Sequence, residues 1–402
     1  ITAWEAAWNV TNAIQGIFVL GLPFALVRSG YLGLVLMVLS AWVCNHTGRI
    51  LVACLYEEQE QRGGYVLKVR VRHSYQDIVE ASCRDLGPHW PRLGGCMVNV
   101  SQVNTTYYSK EVNQTVTANI KPGQKVLKPQ QCFLKQKLLC PAFFFFFCDG
   151  SARSAYCCSL AHCICLSIML FCMSQAGSWS WSSLPLSVAP EDFLVSVGVI
   201  IFSYTSQIFL PPLEGNMVDR GQFNAMLGWT HGAACIMKTA FSLLAVLTWG
   251  SGTCEVITKN LPSDLRPLVN MCLLAKALLS FALPFYSAAE ILQNCLLTDA
   301  EGSGISRPAL LVRAGLLMAS YLLALLVPRF SLLMGLTGSV TGATMTLILP
   351  CLCHLRLQRG RLTRREHLTD VCILITGVVC GVSGIFCSVK SLLKIHISNV
   401  KE

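Results

Sequence analysis

The chain has 402 residues, 53% of them hydrophobic and 13% charged, with a net charge of +10 and a mean hydropathy of +0.54. Soluble globular chains carry about 25% charged residues, and here the deficit is concentrated in windows of about 20 residues, the length that crosses a bilayer as a helix. A soluble globular protein is thereby excluded, and the basic residues sit in loops between apolar windows, as a topology signal does and a nucleic-acid-binding surface does not.

In chain order, the first span covers 6–27, with no charge between Glu5 and Arg28. The chain opens at Ile1 without a basic leader, which reads as a truncated start rather than a signal peptide. A turn at Arg28-Ser29-Gly30 leads into a second span at 31–56, and 57–93 reads as a polar, basic loop. Residues 94–103 start like a span and stop; 104–137 is too polar to cross lipid; 138–148 is apolar but short. Further spans follow at 154–174, 193–212, 228–249, 267–293, 310–328, 331–355 and 369–389, giving nine spans and two weak ones. Every one should be helical, because backbone polar groups inside lipid need internal partners.

Arg356, Arg359, Arg361, Arg364 and Arg365 lie in one short connection, which should face the cytoplasm. Counting back places 213–227, 294–309 and the basic 57–93 on the same side. Of the 21 cysteines, Cys44, Cys163, Cys165, Cys172, Cys272, Cys351 and Cys380 lie inside apolar runs, and no CxxC pair repeats at zinc spacing. They read as small hydrophobes, with neither a disulfide framework nor a metal or other cofactor implied.

Two spans share an anomaly. The first runs Asn9-Val10-Thr11-Asn12-Ala13-Ile14-Gln15-Gly16 and on to Gly21-Leu22-Pro23; the later one runs Phe202-Ser203-Tyr204-Thr205-Ser206-Gln207 and on to Pro211-Pro212-Leu213-Glu214. Both are apolar spans interrupted by Gly or Pro and carrying small polar side chains. Gly permits non-helical backbone and Pro removes a donor. A helix broken in lipid is costly unless the freed groups face a cavity or ligand, and a pair of such breaks points to a transporter's substrate site. Ordinary helix packing through small residues is the competing reading.

Charged groups inside spans are the second clue. Lys276 and Glu290 lie fourteen residues apart on one helical face, and Glu214 follows the Pro-Pro break; these three are the candidates for carrying a coupling proton. Lys238 reads as a snorkelling residue, and His231, which could carry a proton, reads rather as a histidine at the cytosolic edge. The sequence has no Walker A, HExxH or GxSxG pattern, which disfavours an ATP-driven pump or a membrane protease. There are no catalytic candidates, and the chain does not read as an enzyme. A channel stays open as an alternative, since polar spans can line a pore.

At these spans the sequence resembles a known family. Trp4-Glu5-Ala6 through Leu22-Pro23-Phe24, residues 50–58, Phe202-Ser203-Tyr204-Thr205-Ser206-Gln207-Ile208-Phe209-Leu210-Pro211, Leu213-Glu214-Gly215-Asn216-Met217 and Leu332-Leu333-Met334-Gly335-Leu336-Thr337-Gly338-Ser339 closely resemble the vesicular inhibitory amino acid branch of the amino acid/auxin permease family. The resemblance covers about 1–103 and 159–395. It implies an all-α integral membrane protein with a LeuT-like 5+5 inverted-repeat bundle plus one extra helix. It implies loading of GABA or glycine into synaptic vesicles, coupled to protons and possibly chloride. By that resemblance Thr11, Asn12, Gly16 and Gly21 form one wall of the substrate site, and Ser203, Tyr204, Ser206 and Gln207 the other. A carrier of another neutral amino acid and a non-transporting paralogue are the alternatives. The departure lies at 104–150, where the family has an unbroken third helix; here the segment reads as an insert or a misjoined piece.

Overall fold

The Thr2 hydroxyl accepts a hydrogen bond from the Glu5 amide and the Glu5 carboxylate accepts one from the Thr2 amide, a reciprocal cap that starts α1 (Ala3–Ile14). The structure is a computed structural model and describes residues 1–60, 66–86, 94–95, 98, 150–181, 184–185, 188–276, 311–318 and 330–401. Helix α1 stops at Gln15; a tight turn over Ile17–Gly21 follows, and α2 (Leu22–Ser29) resumes with Pro23 in its first turn, bent by 45° from α1. Gly30 ends α2 at φ 61°, where a Cβ would meet the Pro185 carbonyl at 2.2 Å, so only glycine closes this turn.

Helix α3 (Tyr31–Ala53) follows at once. Its 23 residues span about 35 Å at 1.5 Å per residue, more than the roughly 30 Å of bilayer hydrocarbon. The described parts of the segment read as a polar loop, 57–60 and 66–86, hold regular structure. Strands β1 (Tyr56–Glu60) and β2 (Val66–Arg70) form an antiparallel hairpin that pairs Tyr56 with Arg70 and Glu58 with Lys68. A second reciprocal cap, between Ser74 and Asp77, starts α4 (Tyr75–Cys83). Tyr75, Ile78, Val79 and Ser82 recur at helical spacing and are buried, and the Tyr75 hydroxyl donates to the Met345 carbonyl at 2.8 Å.

Beyond α5 (Gly150–Ser174), α6 (Pro190–Ser203) breaks after Ser203; a turn over Gln207–Phe209 leads into α7 (Leu210–Gly215), with Pro211 and Pro212 in its first turn. Helix α8 (Phe223–Trp249), α9 (265–276) and α10 (311–318) follow. Then α11 (Phe330–Thr337), a π-helical stretch over Gly338–Ile348, and α12 (Leu349–Leu357) make one continuous span. The last helix, α13 (Arg364–Lys401), packs on that span and on α6.

The core joins α1, α2, α3, α6 and α8, while α3, α8 and α13 turn Val35, Leu39, Trp42, Trp229, Ile236, Val379, Val382 and Phe386 outward. Apolar surface on that scale belongs against lipid. Five helices among the described residues are long and apolar enough to cross a membrane, six with the bent α1–α2 pair taken as one. Of the nine expected spans these account for six; 154–174 falls within α5, and much of 267–293 and 310–328 lies outside the described residues. Residues 104–149 lie outside them too. The basic segments meet at one end: Arg361 pairs with Glu58 at 3.4 Å and Arg70 with Glu214 at 3.3 Å, which joins 57–72, 213–220 and 356–361 as the charge count expected.

Candidate functional site

The two anomalous spans are broken, and their breaks face each other. Gln15 leaves the α region (φ −91°, ψ 46°) and Gly16 is extended (φ −63°, ψ 177°). At the other break Tyr204 sits at φ −103°, ψ 2° and Ser206 at φ −136°, ψ −7°. Phe18, just past the first break, meets Phe202, just before the second, edge to face at 4.6 Å between ring centres. The Gln15 amide donates to the Met237 sulfur at 3.3 Å, so α8 spans both breaks.

Each break leaves the carbonyl end of a half-helix, which carries partial negative charge. Each is met by a lysine. Lys276 Nζ donates to the Gln15 carbonyl at 2.6 Å, and Lys238 Nζ donates to the Ser203 carbonyl, lies 3.3 Å from Ser203 Oγ and stands 3.9 Å over the Tyr204 ring. Both are buried, Lys238 at 0% exposure and Lys276 at 3%. The snorkelling assignment of Lys238 is therefore wrong: distance to a span end fits snorkelling, but the helix break offers a better partner than the interface. His231 is buried too, with Nδ1 3.0 Å from the Leu227 carbonyl.

The expected site residues divide. Asn12 Oδ1, Gln15 Oε1 and Ser206 Oγ are buried polar atoms with no hydrogen-bond partner, and the Tyr204 hydroxyl, beside the Cys235 thiol, has no oxygen or nitrogen partner. Such orphans are costly, and a ligand that pairs them would repay that cost. Gly16 lies at the first break. Gly21 lines a cavity of about 290 Å³ that also reaches Arg28, Asp192 and Glu255, at the end opposite the hairpin. Thr11 is turned back on its own helix, donating to Ala7 at 2.7 Å. Gln207 is committed elsewhere: its amide donates to the Cys44 carbonyl at 3.2 Å and to Thr47 at 3.1 Å, pinning the second break to α3.

Glu214 is away from the breaks. Its carboxylate accepts from the Tyr56 hydroxyl and pairs with Arg70, which also donates to the Pro211 carbonyl at 2.9 Å. Burial, and then this carboxylate, push the Tyr56 phenol up from its ordinary value. Glu290 lies outside the described residues. At the same end Asp370 is buried between His46 Nε2 at 2.9 Å and His354 Nδ1 at 2.6 Å, joining α3, α12 and α13. Among the described residues no group of three or more His, Cys, Asp or Glu comes together to hold a metal.

The model of a family described as transmembrane amino acid transporter protein matches residues 1–108 and 139–391. The chain belongs to the transmembrane amino acid transporter family. Within that family it is 43% identical to the vesicular inhibitory amino acid transporters of Mus musculus and Homo sapiens, over all of this chain and 78% of each of those proteins. It is 34% identical to a vesicular GABA transporter of Caenorhabditis elegans, over 98% of this chain and 80% of that one. Among solved structures, a manganese transporter of Eremococcus coleocola aligns over 97% of this chain and 95% of its own at 10% identity, with a TM-score of 0.49, too slight a likeness to argue from. The family's members are transporters, not enzymes, and this member is a multi-pass membrane protein. The family match leaves out 109–138, inside the segment that departs from the sequence pattern.

Proposed function

We propose that this chain is a proton-coupled secondary carrier that loads GABA, glycine or both into synaptic vesicles by alternating access. The observation that carries the reading is the pair of facing breaks, where buried polar atoms of Asn12, Gln15 and Ser206 have no partner. Unwound backbone and small polar groups at mid-bilayer are what a zwitterion needs: amides and hydroxyls for its carboxylate, carbonyls for its amine. Identity to vesicular inhibitory amino acid transporters supports the substrate class and the vesicle membrane as its place.

The arrangement is a LeuT-like 5+5 inverted repeat, the first repeat at about 1–175, the second at about 191–356, an extra helix at about 369–389 and a tail at 394–402. The two breaks fall one in each repeat, as that symmetry requires. Asn12, Gly16, Ser203, Tyr204 and Ser206 build the substrate site, with Thr11, Gly21 and Gln207 in the segments that carry it, and with Glu214, Lys276 and Glu290 as the groups through which protons couple; chloride is a further candidate ion. Segment 104–150 is an insert or a misjoined piece of a gene model, and a continuous transcript encoding it contradicts the misjoin.

Uptake into proteoliposomes tests the function. Labelled GABA or glycine should accumulate when an inward-acid, inside-positive gradient is imposed and stop when a proton ionophore is added. Accumulation that ignores the ionophore contradicts proton coupling, uptake of another neutral amino acid without GABA or glycine contradicts the substrate, and no uptake by folded protein contradicts the carrier.

A further inference from the structure

The geometry points to Lys238 as a substrate-binding residue: a fixed internal cation at the second break that receives the carboxylate of an amino acid. This rests on the carrier reading above and adds the group that selects the carboxylate.

A buried ammonium in an apolar bundle costs several kcal/mol more than a neutral donor. The Ser203 carbonyl alone does not require that charge, since an amide or hydroxyl would cap a helix end at far less cost. Among the described residues no carboxylate pairs with Lys238: the ion pairs all involve other groups. Among the described residues the titratable groups that face it are the thiols of Cys44 on α3, Cys165 on α5 and Cys235 on α8, the Tyr204 phenol and His231 on α8, none of them a carboxylate. The ring of Tyr204 and the oxygens of Ser203 offset part of the charge.

An ammonium has three donors. Two are directed at Ser203, which leaves one for a ligand at a break where Tyr204 and Ser206 hold hydroxyls without oxygen or nitrogen partners. In carriers built on broken helices the carbonyl ends of half-helices hold a coupling cation. Here a covalently attached ammonium fills that place on α6, so the anion that completes the pair arrives with the substrate.

The test compares glycine with glycinamide, which keeps the amine and lacks the carboxylate, as competitors of labelled glycine on full-length protein in proteoliposomes. The wild type should bind glycine at least about tenfold more tightly than glycinamide, the scale expected when one partner of a buried charge pair is removed. In Lys238→Met that preference should collapse toward equal affinities, while Lys238→Arg keeps most of it. A purely structural role would weaken both ligands alike and leave their ratio unchanged in Lys238→Met, which overturns the inference. A wild type that takes up glycine yet does not discriminate against glycinamide overturns it too, without any variant. A wild type that takes up no amino acid instead contradicts the carrier reading beneath it.

Discussion

At the first break the decisive residue is Gly16, and the reason is not the one its identity suggests. Its backbone is ordinary extended chain that any residue adopts. What glycine supplies is room: a Cβ at Gly16 would lie 2.8 Å from the Phe18 ring, which is itself set against Phe202. Gly16→Val must therefore displace the aromatic contact that joins the two breaks, and its methyls fill the space that a ligand needs. Uptake should fall by more than about tenfold, the penalty of a ligand misplaced by about an ångström, while surface biotinylation and detergent gel filtration show normal insertion. Unchanged uptake would remove Gly16 from the site. Gln207 teaches the converse, since a polar residue beside a break can be wholly occupied in holding it: its amide is spent on Cys44 and Thr47.

At the scale of elements, two contacts set how the broken helices are held. The first is the crossing of α6 on the π-helical stretch, where backbones nearly touch. A Cβ at Gly338 would lie 1.9 Å from the Gly198 carbonyl, and one at Gly198 would lie 2.5 Å from that of Gly335. π-Helical turns recur at functional sites, and this one also brings Thr346 within 3.2 Å of Thr205 inside the second break. Gly338→Ala should force the helices apart and lower the melting temperature in detergent, whereas Gly232→Ala, with open space around it on α8, should not.

The second contact is the hairpin on α7. Arg70 and Glu214 form an ion pair with side chains 10% and 2% exposed. Breaking a buried pair from one side costs about 3–5 kcal/mol, because the other charge is left unpaired. Arg70→Met and Glu214→Gln should each destabilise the protein, and the double variant by less than their sum; additive losses in that thermal-denaturation cycle would show that the pair is not coupled.

For the whole molecule, the sequence showed what long apolar windows and chain breakers encode. Spans at 31–56, 193–212 and 331–355 were legible because few residues other than apolar ones can fill a bilayer-spanning helix, and both breaks were legible from Gly and Pro. That parts of 57–93, 213–227 and 354–367 meet at one end was legible from the basic connection and a count of spans. The hairpin and α4 were not, because a nine-residue helix with one buried face and four or five polar residues reads as loop until something is seen to cover it. The signal was there in the Ser74–Asp77 cap and in the spacing of Tyr75, Ile78, Val79 and Ser82. Lys238 was missed for a different reason: its partner, the Ser203 carbonyl, is a backbone group 35 residues away, freed only because α6 stops there.

The central claim is that an amino acid is held between the two broken helices. A structure of the purified protein with GABA or glycine bound measures it directly. The account predicts ligand density between Gly16 and Ser206, with the carboxylate on the Lys238 side and both helices still interrupted. Ligand density elsewhere with this space empty, or both helices running unbroken past Gly16 and Ser206, would contradict it.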